Sequence, residues 1–327
     1  METWLKIFGP IYKGVRIPSG ADFFVNSDES RMKLYIPKPD QDLQANAAAF
    51  EGWALIFHAR LTVEVIVSFT PIDDWSFAPG HGHYHYARFL YRLWKFEEQM
   101  PWFHVDVDCQ GIVDKFKADL LQLKASGMVL NNLPGGNSQE TARKSRERQI
   151  EKAFVYSDDA QASLQRTVLE EDGVTLMRIH DQLPIGLFRD SISEENRLFM
   201  TGFIDLWAVG QQNELCIFEL KIPSNRRVGI IPELFFYANY CRDFVTDGCL
   251  NELGAGHRGY HELLTAVREG VPRIKAYFLA PKYHSRIEGH MTEIESCLNM
   301  NSPAIDYRFL RYDYERIKDI ADQIGAL

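Results

Sequence analysis

The stretch from Thr201 to Ile222, TGFIDLWAVGQQNELCIFELKI, holds two apolar runs separated by the polar, turn-prone insert Gly210-Gln211-Gln212-Asn213. Runs rich in Ile, Leu, Val, Phe and Trp around a short polar break predict a β-hairpin. Side chains alternate between faces along a strand. Phe203, Asp205 and Trp207 therefore share one face of the first strand, and Ile217, Glu219 and Lys221 share one face of the second. Each strand carries a carboxylate inside an otherwise apolar run. Burying such a group without a partner is costly, and two carboxylates about 4 Å apart repel by roughly 4 kcal/mol at an effective dielectric near 20. A divalent cation between Asp205 and Glu219 would turn that repulsion into binding, with Lys221 beside the ion. The bland alternative is a buried ion pair of Lys221 with either acid, carrying no chemistry.

Gly202-x-x-Asp205, thirteen residues, and then Glu219-x-Lys221 resembles the signature of the PD-(D/E)XK nuclease superfamily, with Ile204 where the usual Pro precedes the Asp. A helix is expected next, over Ile230–Asp243. Its Glu233-Leu-Phe-Phe-Tyr237 is similar to the QxxxY motif of the RecB-like branch, with Glu in place of Gln. The resemblance covers about Ser138–Leu327. It implies a restriction-endonuclease-like αβββαβ core, an α/β fold whose mixed sheet is flanked by helices.

The resemblance also implies site roles. Asp205, Glu219 and the main-chain carbonyl of Leu220 would hold Mg²⁺ or Mn²⁺, hard cations that take oxygen ligands. Lys221 would orient the attacking water. A Glu from the first core helix would complete the shell; Glu151 fits best, because it borders the apolar strip of Ile150 and Phe154, and Glu147 is second. Against this stands a solvated face of Glu–Arg pairs. Arg226 and Arg227, in the loop after the hairpin, would contact phosphates, and Glu233 and Tyr237 would position the scissile strand. The implied activity is phosphodiester hydrolysis of nucleic acid, with DNA favoured over RNA, and a homodimer is left open. The alternative from another class is an inactive nuclease fold serving as a binding or sensing module, since a fold does not guarantee its activity.

At 327 residues the chain is long enough for two domains. The Pro- and Gly-dense stretch 132–137 reads as a linker between a front α+β module, 1–131, and the nuclease-like domain, 138–327. The front is read as short strands at Trp4–Phe8, Tyr12–Ile17, Phe23–Val25 and Met32–Ile36. A stronger strand follows at Leu61–Phe69, then helices at Tyr86–Gln99 and Asp114–Lys124. Asn137 and Glu140 suggest a capping box for a helix over Ser138–Tyr156. Farther on, a strand pair is expected in Thr175–Arg189, broken near Gln182–Pro184. A helix at Tyr260–Glu269, strands at Arg273–Ala280 and Ala304–Tyr312, and a helix at Tyr314–Ile324 complete the expected order.

His81, His83 and His85 alternate, as do His104, Asp106 and Asp108; if extended, each set would point one way and suit Zn²⁺ or Mn²⁺. The bland reading is a polar loop leading into a helix. The net charge of −9 counts against a protein that coats nucleic acid non-specifically, although a nuclease needs only a local basic groove. Five cysteines without metal-type spacing suggest free thiols in a reducing cytoplasm. The most apolar stretch, Trp53–Phe69, is interrupted by His58, Arg60 and Glu64, so no membrane span is expected. The N-terminus also lacks the layout of a signal peptide.

Overall fold

The computed structural model describes residues 22–25, 30–42, 49–133, 145–225, 227–250 and 259–325. The hairpin forms as two antiparallel strands, β8 (Gly202–Gly210) and β9 (Leu215–Leu220). They sit inside a five-stranded sheet with β6 (Leu176–Ile185), β10 (Ile274–Leu279) and β11 (Ile305–Leu310), in the order β11-β10-β9-β8-β6. β6 is antiparallel to β8, whereas β9, β10 and β11 run parallel, so the sheet is mixed.

Strand alternation sorts the apolar side chains to two sides. Trp207, Ile217, Ala276 and Tyr307 join one core; Ala208, Cys216, Phe218 and Tyr277 join the other. The second core is closed by α4 (Arg146–Tyr156), α5 (Asp158–Asp172) and α10 (Tyr314–Gly325). On the first side lie α6 (Ile230–Tyr240), which a short π-helical turn extends over Cys241–Val245, and α7 (Tyr260–Glu269). The protein is thus α/β, a mixed sheet flanked by helices. Among the described residues no helix is long and apolar enough to cross a membrane.

The front of the chain builds its own sheet, β1 (Asp22–Val25), β2 (Arg31–Ile36), β3 (Glu64–Phe69) and β4 (Phe103–Val105). With it come the helices α1 (Phe50–Leu61), α2 (Tyr84–Gln99) and α3 (Val107–Ala125). The stretch 132–137 falls largely outside the described residues, and the apolar core runs across it. Met32, Trp53 and Phe96 belong to the same cluster as Ile217, Phe235 and Phe278. The ribbon of β5 (Val129–Asn131) with β7 (Leu187–Arg189) also joins the two parts. Helix α6 lies between them, and every one of its residues is buried.

Several boundaries differ from the sequence expectation. Leu61 ends α1 instead of opening the strand: Thr62 takes φ 55° and its N–H caps His58 O at 2.8 Å, so β3 starts only at Glu64. Helix α4 begins at Arg146 rather than Ser138. Ser145 is extended, and its hydroxyl accepts the Arg148 N–H at 3.2 Å as an N-cap. Asn137, Glu140, Trp4–Phe8 and Tyr12–Ile17 lie outside the described residues. Helix α5, α8 (Ser285–Glu288) and α9 (Met291–Met300) are additional elements.

At Gly52, α1 comes close to the chain just before α6. A Cβ there would stand 2.3 Å from Val228 Cγ1 and 3.1 Å from the Val228 carbonyl. Gly52→Ala should therefore lower stability by about 1–3 kcal/mol, the usual cost of overpacking a core. Chemical denaturation checks this; an unchanged midpoint would show that the two parts do not press together there.

Candidate functional site: a buried carboxylate cluster around Lys221

The last paired residues of the hairpin are Leu206 and Phe218. One step further along the same register, Asp205 stands across from Glu219. The Asp205 carboxylate turns to its neighbour strand and accepts the Leu220 N–H at Oδ2, 2.8 Å. Lys221, just past the end of β9, bonds Glu219 Oε1 and reaches Glu233 Oε2 at 2.9 Å. Its own backbone is fixed on both sides, by Lys221 N–H to Leu279 O at 2.9 Å and by the Tyr312 hydroxyl to Lys221 O at 3.1 Å.

Glu233 comes from the first turn of α6, and Glu219, Lys221 and Glu233 are all nearly sealed from solvent. Asp205 is half-buried and so is the accessible member. Glu219 Oε2 is buried with no donor among the described residues. The Glu233 carboxyl adds its negative charge to the same pocket. One ammonium therefore serves more carboxylates than it can neutralise.

The electrostatics carry that imbalance. Burial pushes the Glu219 carboxyl well up, and Asp205 and Glu233 add to the rise against Lys221. Asp205 is pushed up to about 6, first by lost hydration, with Glu147 and Glu233 adding and Lys221 and the Leu220 amide opposing. Lys221 is held well above its usual range: burial opposes its charge, but Glu219, Glu233, Asp205 and Glu147 outweigh it. Tyr237 is likewise driven up, by burial and then by Glu219, Glu233 and Asp205. Its hydroxyl lies 3.8 Å from where a Cβ on Gly202 would be.

Glu151 joins from the other core. Burial and then Asp205 raise its carboxyl to about 8, despite bonds from Arg148 and Gln182. Arg148 also pairs with Asp181 on β6 at 2.6 Å. Glu147 accepts Asn225 Nδ2 at 3.3 Å. The structure thus gathers Asp205, Glu219, Lys221, Glu233, Tyr237, Glu151 and Glu147 in one electrostatic neighbourhood. Arg226 lies outside the described residues, and Arg227 is exposed on the loop before α6. The sequence gives no site role to Arg148, Asp181 or Gln182, the last entering only as a break in the strand pair. Only the i,i+3 spacing of Arg148 and Glu151 hinted at one of these contacts.

The His-rich segment does not extend as alternation would require. Gly80 and Gly82 take φ 71° and 75°, and His85 lies within α2. His83 pairs with Asp40 at 3.1 Å and His85 Nδ1 meets Arg88 at 3.2 Å. Asp106 is the N-cap of α3 and pairs with Lys33 at 2.6 Å, and Asp108 is in its first turn. Among the described residues, no three His, Cys, Asp or Glu side chains are grouped at metal-ligand spacing.

Glu151 binds its proton through the window from the ordinary carboxylate range to about 8, where an unfolded chain has released it. The folded state then holds more protons, so its stability falls as pH rises through that window. In a chelating buffer, wild type should lose stability relative to Glu151→Gln between about pH 5 and 8. Urea denaturation across that range checks it; a constant difference would contradict the raised carboxyl.

Comparison of the chain with protein-family models, with curated proteins and with solved structures found no match.

Proposed function

We propose that the chain is a metal-dependent nuclease of the PD-(D/E)XK type, its C-terminal part a restriction-endonuclease-like core and DNA its favoured substrate. The observation that carries this is the placement of Asp205 and Glu219 one step past the last paired residues of adjacent strands, with Glu219 Oε2 buried and without a donor among the described residues. Two close carboxylates and an orphaned oxygen are hard donors suited to Mg²⁺ or Mn²⁺. The element order supports the same reading: a helix, the antiparallel run β6-β8-β9, helix α6, and β10 parallel to β9.

Asp205, Glu219 and the Leu220 carbonyl would hold the cation, with Glu151 or Glu147 nearby. When bound, the ion supplies a more acidic water and offsets charge on the reacting phosphate. The remaining roles belong to the chain. Lys221, held by its backbone on both sides, keeps a positive charge beside the attacked phosphate, where low dielectric strengthens it. Glu233 anchors that ammonium from α6. Tyr237 stands at Gly202, on the rim where the scissile strand would lie. Arg227 is free to meet phosphate on the approach.

A second reading has its own support. Lys221 pairs with both Glu219 and Glu233, a buried ion pair that an inactive nuclease fold kept for binding or sensing would also hold. The two differ in the cation: an active site takes up Mn²⁺ at Asp205 and Glu219, and a sensor has no need of it.

Single- and double-stranded DNA and RNA, incubated with Mg²⁺ or Mn²⁺, separate these cases. The proposal expects cleavage by wild type and a loss of at least about 100-fold in Asp205→Ala, on the scale of removing one preorganised charge-stabilising group. The variant's circular dichroism should be unchanged. A fully active Asp205→Ala, or no cleavage of any polymer by wild type, would refute it.

A further inference from the structure

Lys221 stands where the ladder between β9 and β10 runs out. Leu220 is opposite Leu279 in the parallel register, and the Lys221 N–H donates to Leu279 O at 2.9 Å. Along a strand, the backbone polar groups of alternate residues face the same neighbour. Leu279 faces β9, and Ala280 faces β11, its N–H donating to Leu310 O at 3.2 Å. The next N–H due to face β9, and so to meet the Lys221 carbonyl, belongs to residue 281. That residue is a proline, which has no N–H to give.

Lys221 is buried, and a buried carbonyl without a donor is costly. The Tyr312 hydroxyl fills the vacancy, donating to Lys221 O at 3.1 Å from the segment that follows β11. Its ring meets Phe154 of α4 edge to face, with centroids 5.5 Å apart. Burial, with Tyr314 and Glu147 after it, raises the phenol, so it stays a donor. Past Lys221 the chain leaves the sheet for a turn, in which the Asn225 N–H donates to Ile222 O at 2.9 Å. The Tyr312 bond thus fixes the peptide plane at the exit, while Glu219 and Glu233 hold the ammonium at the far end of the same residue.

We propose that Tyr312 is a positioning residue: its hydroxyl replaces the ladder donor that Pro281 removes and so fixes the backbone from which Lys221 carries its charge to the reacting phosphate. The proposal rests on the nuclease reading of the Asp205–Glu219 pair. Tyr312 has no contact with the ion in this scheme and acts only through Lys221. A misplacement of about 1 Å at a catalytic group can cost about 100-fold in rate.

The test compares wild type with Tyr312→Phe, which deletes the hydroxyl and keeps the ring, and with the double variant Tyr312→Phe, Pro281→Ala, which returns an N–H to the vacant ladder position. Cleavage is read by kcat and KM, Mn²⁺ affinity by calorimetry and folding by Tm, with all rates taken well below the lowest Tm. Tyr312→Phe should lose about 10-fold or more in kcat, while KM and Mn²⁺ affinity stay near wild type. The double variant should recover most of that kcat. A Tyr312→Phe protein with the kcat of wild type would overturn the positioning role alone. So would a double variant as slow as Tyr312→Phe, because a donor restored to the Lys221 carbonyl would then have done nothing for the reaction. A wild type that neither binds Mn²⁺ nor cleaves would overturn the nuclease reading, and this role with it.

Discussion

A single ammonium group, Lys221, is buried among carboxylates that outnumber it. Glu219 and Glu233 bond it directly, and Asp205 and Glu147 lie within its field. Burying a charge requires pairing, and an incompletely paired set is held only by a scaffold that cannot relax. Such concentrations of unfavourable charge are where a fold spends stability on function. Burial first, and neighbouring carboxylates after it, raise the carboxyls of Asp205, Glu219 and Glu151.

The scaffold that resists relaxation is the sandwich around α6. On one side the helix lies on the mixed sheet; on the other it meets α1 and α2 from the front of the chain. Polar ties cross the same boundary. Gln99 donates to Asn239 at 2.6 Å, and Asn239 in turn contacts Tyr307 at 3.3 Å. Tyr91 donates to Asp243 at 2.9 Å, and Lys95 pairs with it at 2.7 Å. The Arg88 guanidinium sits 5.6 Å from the Phe236 ring, next to Tyr237. Arg92 and Glu51 form a buried pair that locks α2 to α1 beneath these contacts. The front part thus stiffens the helix that delivers Glu233, linking packing far from the acids to their geometry.

Much of this was legible in the chain because strand alternation is a strict rule. The hairpin bounds, the shared faces of Asp205 and Glu219, and the helix carrying Glu233 and Tyr237 all follow from period-two and helical spacing. Local pattern failed where tertiary contacts decide. Leu61 closes a helix instead of opening the expected strand, because α1 packs against α6 and β3 begins only after the cap at Thr62. The charged opening of 138–144 gave no sign that Ser145 would be extended and start the helix late. Gln182, Asp181 and Arg148 meet across a separation of more than 30 residues, which no local spacing encodes. The alternating histidines follow the plainer of the two sequence readings, a polar loop leading into a helix: Gly80 and Gly82 take positive φ and α2 starts at Tyr84.

The central claim is that the Asp205 and Glu219 carboxylates converge on a divalent ion with Lys221 alongside. A crystal soaked in Mn²⁺ and measured for anomalous scattering tests it directly. The account predicts one peak within about 2.5 Å of a carboxylate oxygen from each of Asp205 and Glu219, with Lys221 drawn away from Glu219 Oε1. A map with no peak there, and Lys221 still bridging Glu219 and Glu233, would contradict it.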